Sequence, residues 1–194
     1  MPKQVDATLR REEILSAAYW VLEEAGIAGL SFRAVAARLG GSATLVTHYY
    51  ASRQAMVDDL IAFSLNRWTA DLRALETGVD DPEERLRVLL EWLVPVTSVG
   101  LREERARLNL LTNHQQDSET QAMLRKWDQY GRKVMRRHLE PLIAPENLDD
   151  AVEILSVTVY GISVSAVQSP SAWRRRRQLN ALEIQLRLLG LGRQ

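Results

Sequence analysis

Two glycines, Gly40 and Gly41, sit between two short runs that keep helical spacing, and this arrangement limits the fold more than any other feature of the chain. Before them, Phe32, Val35, Ala36 and Leu39 fall at i, i+3, i+4 and i+7, one face of a helix. Ser31 stands where its hydroxyl can accept an unpaired N–H of the first turn, with Leu30 placed to pack beneath it. After the glycines Ser42 is a second N-cap, and Val46 and Tyr50, four apart, give the next helix an inward face. Two short helices joined by a tight glycine turn are the layout of a helix-turn-helix. The outward face of the second helix then shows Ala43, Thr44, Thr47 and His48, with Arg33, Arg38 and Arg53 around it. From Leu30 to Met56 there is no Asp or Glu, although the chain has 25 acidic residues against 25 Lys and Arg. Small polar groups ringed by guanidinium suit a DNA groove with phosphate on both sides. The competing reading of the same pattern is one more helical hairpin in an all-α core.

The rest of the chain is also helical in period. Residues 1–8 are polar and expected to be loose. From Leu9 onward Ile14, Ala17, Ala18, Val21, Leu22 and Ala25 form a helical face closed by Gly26. A long helix from near Ser52 carries Met56, Leu60, Ile61, Leu65, Trp68, Leu72 and Leu75, with Thr77-Gly78 as its stop. Asp81-Pro82-Glu83-Glu84 is a strong helix start, with cap, proline at the first position and acids in the first turn. Its helix is apolar on most sides up to Pro95, and another runs from Leu101 to His114. Ser118 to Gln121 has the capping-box pattern and opens a helix ended by Pro141. Ile154 to Val167 is rich in β-branched residues, yet it is long for a strand and has no second strand to pair with, so it is read as helix. The last helix, from about Ser171, sets Leu179, Leu182, Leu186 and Leu189 in a narrow seam suited to another helix. These two terminal helices, through Ile154, Val157, Ile162 and the four leucines, are expected to form a homodimer interface.

Composition excludes several classes. Formal net charge is zero, so any nucleic-acid site must come from local segregation of charge. The absence of cysteine removes disulfides, thiolate catalysis and cysteine zinc sites. Of the three histidines, only His114 and Asp117 approach metal-helix spacing, and no metal or cofactor is expected. No nucleophile motif or phosphate loop is present, so no catalytic residues are assigned. The N-terminus lacks a signal-peptide run, and the apolar part of Ile154–Trp173 is shorter than the ~18–20 residues of a membrane span. A cytoplasmic protein without a membrane role is expected. The four arginines Arg174–Arg177 point all round a helix axis, so they are read as solvated or paired with Asp149, Asp150 and Glu153 rather than as a DNA-facing stripe.

Residues 10 to 60 resemble the TetR family of transcriptional repressors through Ile14-Leu15-x-Ala17-Ala18, Gly26, Val35-Ala36, Leu39-Gly40, Ser42, Val46, Tyr50, Ser52, Arg53 and Met56. The remainder is similar in helix number and length, and in Tyr160-Gly161 followed by Ser169-Pro170. Gly41 departs from the usual valine, which removes a buried side chain and loosens the turn. Leu45 replaces a small hydroxyl residue, Thr47 a phosphate-contacting tyrosine, and Tyr49 a common histidine.

The resemblance implies an all-α protein of about nine helices: a three-helix DNA-binding domain over 1–52, joined by a long helix to a helical ligand-binding and dimerisation domain over 53–194. It implies a homodimer on a palindromic double-stranded operator, released by a small-molecule effector. Ser42, Ala43, Thr44, Thr47 and His48 would then belong to the DNA-binding face, Thr44, Thr47 and His48 at bases or sugar, with Arg33, Tyr49 and Arg53 at phosphates. Trp92, Asn113, His114, Trp127, Tyr130 and Tyr160 lie on the helices that surround the effector pocket by resemblance, implying an apolar or aromatic ligand with a few polar anchors. Each of them alone is also compatible with core packing. The alternative function is a helical small-molecule-binding protein with weak or lost DNA binding.

Overall fold

Local capping chemistry sets most of the element boundaries. The computed structural model describes residues 2–113 and 118–191, and these form nine α-helices without a strand. They are α1 (Pro2–Gly29), α2 (Phe32–Arg38), α3 (Ala43–Thr47), α4 (Arg53–Leu75), α5 (Pro82–Leu93), α6 (Ser98–Asn113), α7 (Ser118–Leu139), α8 (Leu148–Gln168) and α9 (Arg175–Leu188), with a single 3-10 turn at Pro145–Asn147. The Ser31 hydroxyl accepts from the Ala34 N–H at 3.2 Å, Ser52 from Ala55 at 3.1 Å, and the Asp81 carboxylate from Glu84 at 2.9 Å. Val94, before Pro95, is extended, which ends α5. The β-branched run is helical throughout.

Some boundaries differ from expectation. Residues 2–8 are already helical and α6 begins at Ser98 rather than Leu101, whereas the expected stop at Gly26 is present as a non-helical break, φ +67°, before one last turn to Gly29. The last helix starts at Arg175 rather than Ser171, because Ala172 and Trp173 both donate backbone N–H groups to the Ser169 carbonyl in a turn. Ala25 and Leu75, expected on inward faces, are exposed.

The chain divides into two compact units. One comprises the residues up to Thr69 with Asn109–Leu124, the other Ala70–Leu108 with the chain from Arg125 onward. In the first, Ile14, Ala18, Leu22, Ile27 and Leu30 of α1 and its end are buried together with Val35, Ala36, Val46, Tyr50, Met56 and Leu60. In the second, Leu86, Leu89 and Leu90 of α5 are at most 1% exposed and join Leu72, Met135, Leu139, Leu155, Ile162, Leu182 and Leu186 in one core. Each such leucine contributes ~1.5–3 kcal/mol by burial.

The expected dimer seam is corrected here. Leu182, Leu186 and Ile162 are 1–3% exposed inside this core, and Leu179 and Leu189 pack against it, so the leucine seam of α9 is satisfied within the chain. The exposed apolar residues of these helices lie elsewhere: Ile154, Val157 and Tyr160 on α8, and Ile184 and Leu188 on α9. Ile154 and Val157 thus remain on the surface. The α8 stretch with its 3-10 turn, 24 residues, is long and apolar enough by length and composition to cross a membrane, contrary to the sequence estimate. Its Ala151, Val152, Leu155, Ile162 and Ala166 side chains belong to the buried interior.

Arg174–Arg177 are exposed. Arg175 pairs with Glu91 at 2.5 Å and Arg177 lies over the Trp173 ring at 4.6 Å. Two of the three expected partners are taken, since Asp149 pairs with Arg136 and Glu153 with Arg132. Deeper in this unit, Glu76 and His138 face each other with side chains 4% exposed. His138 Nδ1 sits 2.8 Å from the Val134 carbonyl and Nε2 2.5 Å from Glu76 Oε1, so both ring nitrogens have a hydrogen-bond partner. Arg85 donates to the other Glu76 oxygen at 3.0 Å.

Candidate nucleic-acid interface

The first unit presents α3 at its surface because the turn before it is tight and its inward side chains are large. Gly40 has φ +71°, a conformation that glycine adopts without a Cβ penalty. The Gly41 N–H donates to the Ala36 carbonyl at 2.9 Å, closing the end of α2. Val46 is fully buried and Tyr50 2% exposed, which directs Ala43, Thr44, Thr47 and His48 to solvent. Burial, with the Asp59 carboxylate, pushes the Tyr50 hydroxyl up to about 12 against the opposing Arg11, so it is neutral at physiological pH.

Ser42 holds the N-cap backbone position, but its hydroxyl makes no capping bond. It is exposed beside Ala43 and Thr44, so it is a surface group rather than the second cap expected. The Thr47 hydroxyl donates to the Thr44 carbonyl at 3.2 Å. His48 meets Tyr49 edge-on, with ring centroids 5.2 Å apart.

Gly41 and Leu45 prove to be one exchange. A Cβ built on Gly41 would stand 3.0 Å from Leu45 Cδ1. The side chain of Leu45 therefore occupies the room that a larger residue at 41 would need, and the turn is not loosened as the sequence comparison implied. Gly41→Val is expected to cost no more than about 1 kcal/mol, the low end of overcrowding, because only the Cδ1 end of a half-buried leucine has to give. Adding Leu45→Thr should restore most of that loss, a coupling measurable from unfolding midpoints of the two single variants and the double. Additive effects would show that the two positions do not share this space.

The ring of guanidinium groups is smaller than counting suggested. Arg38 pairs with Glu24 at 2.9 Å and lies 5.1 Å from the centre of the Trp20 ring. This exposed pair contributes only ~0–1 kcal/mol, but it draws the charge back toward α1. Arg53, expected at phosphate, is half-buried and donates from Nε to the Leu30 carbonyl at 2.8 Å and from Nη2 to Ile27 at 2.6 Å. Arg33 is exposed on α2 and makes no intramolecular pair among the described residues. Arg11 of α1 was not singled out in the sequence. It donates to the Tyr49 carbonyl at 3.3 Å, lies 5.4 Å from the Tyr50 ring centre and approaches Asp59 at 3.9 Å. Only tertiary contact reveals it, since its spacing in α1 is that of an ordinary solvated arginine.

Four of the six expected effector residues have described side chains, all in the second unit. Trp92 and Tyr130 are partly buried against the core of the second unit, and Trp127 is half-buried. Tyr160 is 47% exposed, with the Arg107 guanidinium 5.6 Å from its ring centre. Arg107 is held bidentately by Glu104 at 2.6 and 2.8 Å. Asn113 ends α6, but its side chain lies outside the described residues, as do His114 and Asp117.

Comparison with known proteins agrees with this layout. Residues 14–60 match the description of bacterial regulatory proteins of the tetR family, and residues 82–190 that of the C-terminal part of BetI-type transcriptional repressors. The chain is 34% identical over 107 residues to the HTH-type transcriptional regulator PksA of Bacillus subtilis (strain 168), covering 53% of this chain and 50% of that protein. It thus spans about half the length of the curated relatives it matches. A transcriptional regulator from Rhodococcus sp. Rha1 has the same fold, with a TM-score of 0.73 and 24% identity, covering 92% of this chain and 95% of that one. Another, from Saccharomonospora viridis and solved in complex with choline, has a TM-score of 0.74 and 14% identity, covering 93% and 96%.

Proposed function

Because this chain belongs to the TetR family of bacterial regulatory proteins, with a C-terminal region of the BetI repressor type, we propose that it is a ligand-responsive DNA-binding regulator rather than an enzyme. It acts in the cytoplasm as a repressor, a homodimer on a palindromic operator. The observation that carries this reading is the exposed, acid-free surface of α3, where Ser42, Ala43, Thr44, Thr47 and His48 stand together beside Arg33, which makes no intramolecular pair among the described residues. Thr44, Thr47 and His48 meet base edges or sugar, while Arg33 and Tyr49 hold phosphate.

Two copies join through the exposed apolar residues Ile154, Val157, Tyr160, Ile184 and Leu188 of α8 and α9, helices that pack on each other. This carries two recognition helices to half-sites about one DNA turn (~34 Å) apart. A small molecule bound in the second unit, the region of Trp92, Trp127 and Tyr130, selects a conformation with the wrong spacing. A protein of the same fold solved with choline supports a small ligand, and the aromatic residues support one with substantial apolar surface.

A gel-shift titration with DNA from around its own gene, repeated over a range of salt, tests the reading. A specific and salt-sensitive shift is expected, and its absence would remove the repressor assignment. Arg33→Ala is expected to weaken binding across sequences and to reduce the log–log salt slope by ~0.9 per protomer. Thr47→Ala should instead relax base preference, by ~1–3 kcal/mol where a good contact is lost.

A further inference from the structure

We propose that Arg53 is a positioning residue: its guanidinium ties the end of α1 to the first turn of α4 and so fixes the angle at which α2 and α3 are offered to DNA. The inference rests on the DNA-binding reading above and assigns Arg53 a place other than at phosphate.

The corner that Arg53 closes is built by the backbone. After the break at Gly26 the chain turns inward, burying Ile27 to 2% and Leu30 completely, before Ser31 starts α2. A Cβ on Gly29 would stand 2.4 Å from that of Ala25, so the corner is closely packed. Carbonyls at the end of a helix have no partner in the helix itself. The Ile27 carbonyl, in the last turn of α1, and that of Leu30, just beyond it, accept from one guanidinium at 2.6 and 2.8 Å, Ile27 also accepting from the Leu30 N–H at 3.2 Å. A planar fork with two N–H groups in fixed geometry reaches both acceptors at once, which a single ammonium does not. Arg53 is the first residue of α4, so one side chain joins the end of α1, the start of α2 and the start of α4. Arg11 and Arg38 also reach across this unit, but both are exposed, whereas Arg53 is half-buried.

Two substitutions, Arg53→Met and Arg53→Lys, test this in the full-length protein with the DNA fragment upstream of its own gene. Fluorescence anisotropy is recorded over a range of salt, and amide exchange over Ala28–Ala34. A tie of two charge-assisted bonds predicts that Arg53→Met weakens binding ~10–100-fold with an unchanged log–log salt slope. Arg53→Lys, which keeps the charge but not the fork, should fall nearly as far. Both variants should exchange faster at Ala28–Ala34. A lysine variant that binds like the parent, with a methionine variant whose slope drops by ~0.9 per protomer, would make Arg53 a phosphate contact and overturn the proposal. Unchanged exchange in both would overturn it as well. If Arg53→Met fails to fold, the lysine variant alone decides. If the parent protein itself gives no specific shift, the DNA-binding reading falls, and amide exchange still judges the tie.

Discussion

Glu76→Ala is expected to destabilise the second unit by about 1–3 kcal/mol, the cost of leaving the buried His138 ring without its hydrogen-bond partner. The Glu76 and His138 side chains are each 4% exposed, and the same carboxylate holds Arg85. Without it, His138 Nε2 faces no acceptor from Glu76, and Arg85 loses its anion. Replacing both members by apolar groups, as in Glu76→Leu with His138→Phe, should recover much of the loss, because the desolvation of the pair then disappears with its attraction. Equal destabilisation in the single and double variants would show that the site depends on shape rather than charge. The pair also predicts a pH dependence. Burial pushes Glu76 up, but Arg85 and His138 outweigh it and hold the carboxyl below its ordinary value of 4.5. Its contribution is therefore complete above that value and is lost as pH falls through the lower native one. Thermal or urea unfolding of the parent should show this decline below about pH 4.5, and Glu76→Ala should show less of it.

Val157→Glu is expected to leave the fold intact, to hold the protein as a monomer, and to weaken operator binding ~10²–10⁴-fold, the usual gain from linking two binding modules. Val157 is 54% exposed, so a charge there changes the stability of one chain by only about ±0.5 kcal/mol. At a two-fold interface the same substitution would bring a carboxylate into the apolar contact from each side. Leu182→Ala is the contrasting case: at 3% exposure it should cost ~2–5 kcal/mol of stability without a direct effect on dimerisation. Light scattering and unfolding curves separate the two outcomes. A Val157→Glu protein that remains dimeric would move the interface elsewhere.

Those two residues illustrate what a single sequence conveys. Periodicity identified a buried stripe on α9, and Leu182 and Leu186 are indeed buried. Spacing does not name the partner, however, and the stripe faces the core of its own unit. Caps were readable because they act within one turn: Ser31, Ser52 and Asp81 each accept an N–H three residues on. The outward set on α3 was readable because Val46 and Tyr50 fix which side is in. Guanidinium groups were not, since a count of arginines gives the sign of a surface and not which of them are already engaged. Arg38 is committed to Glu24, and Arg53 to the carbonyls of Ile27 and Leu30, through contacts spanning 14 to 26 residues. The aromatic residues of the second unit were least readable, because Trp92 and Tyr130 serve its core whether or not they also meet a ligand.

The shared space of Gly41 and Leu45 bears on how an operator for this protein should be sought. A common approach grafts the recognition helix of a relative onto a new frame and asks which DNA the hybrid prefers. Here such a graft over residues 42–49 would import a small residue at 45 beside a glycine at 41, leaving unfilled the volume that Leu45 now occupies. The hybrid would combine a changed reading face with a slack hinge, and its preference would report both. A faithful transplant has to carry the turn with the helix, starting no later than Gly41.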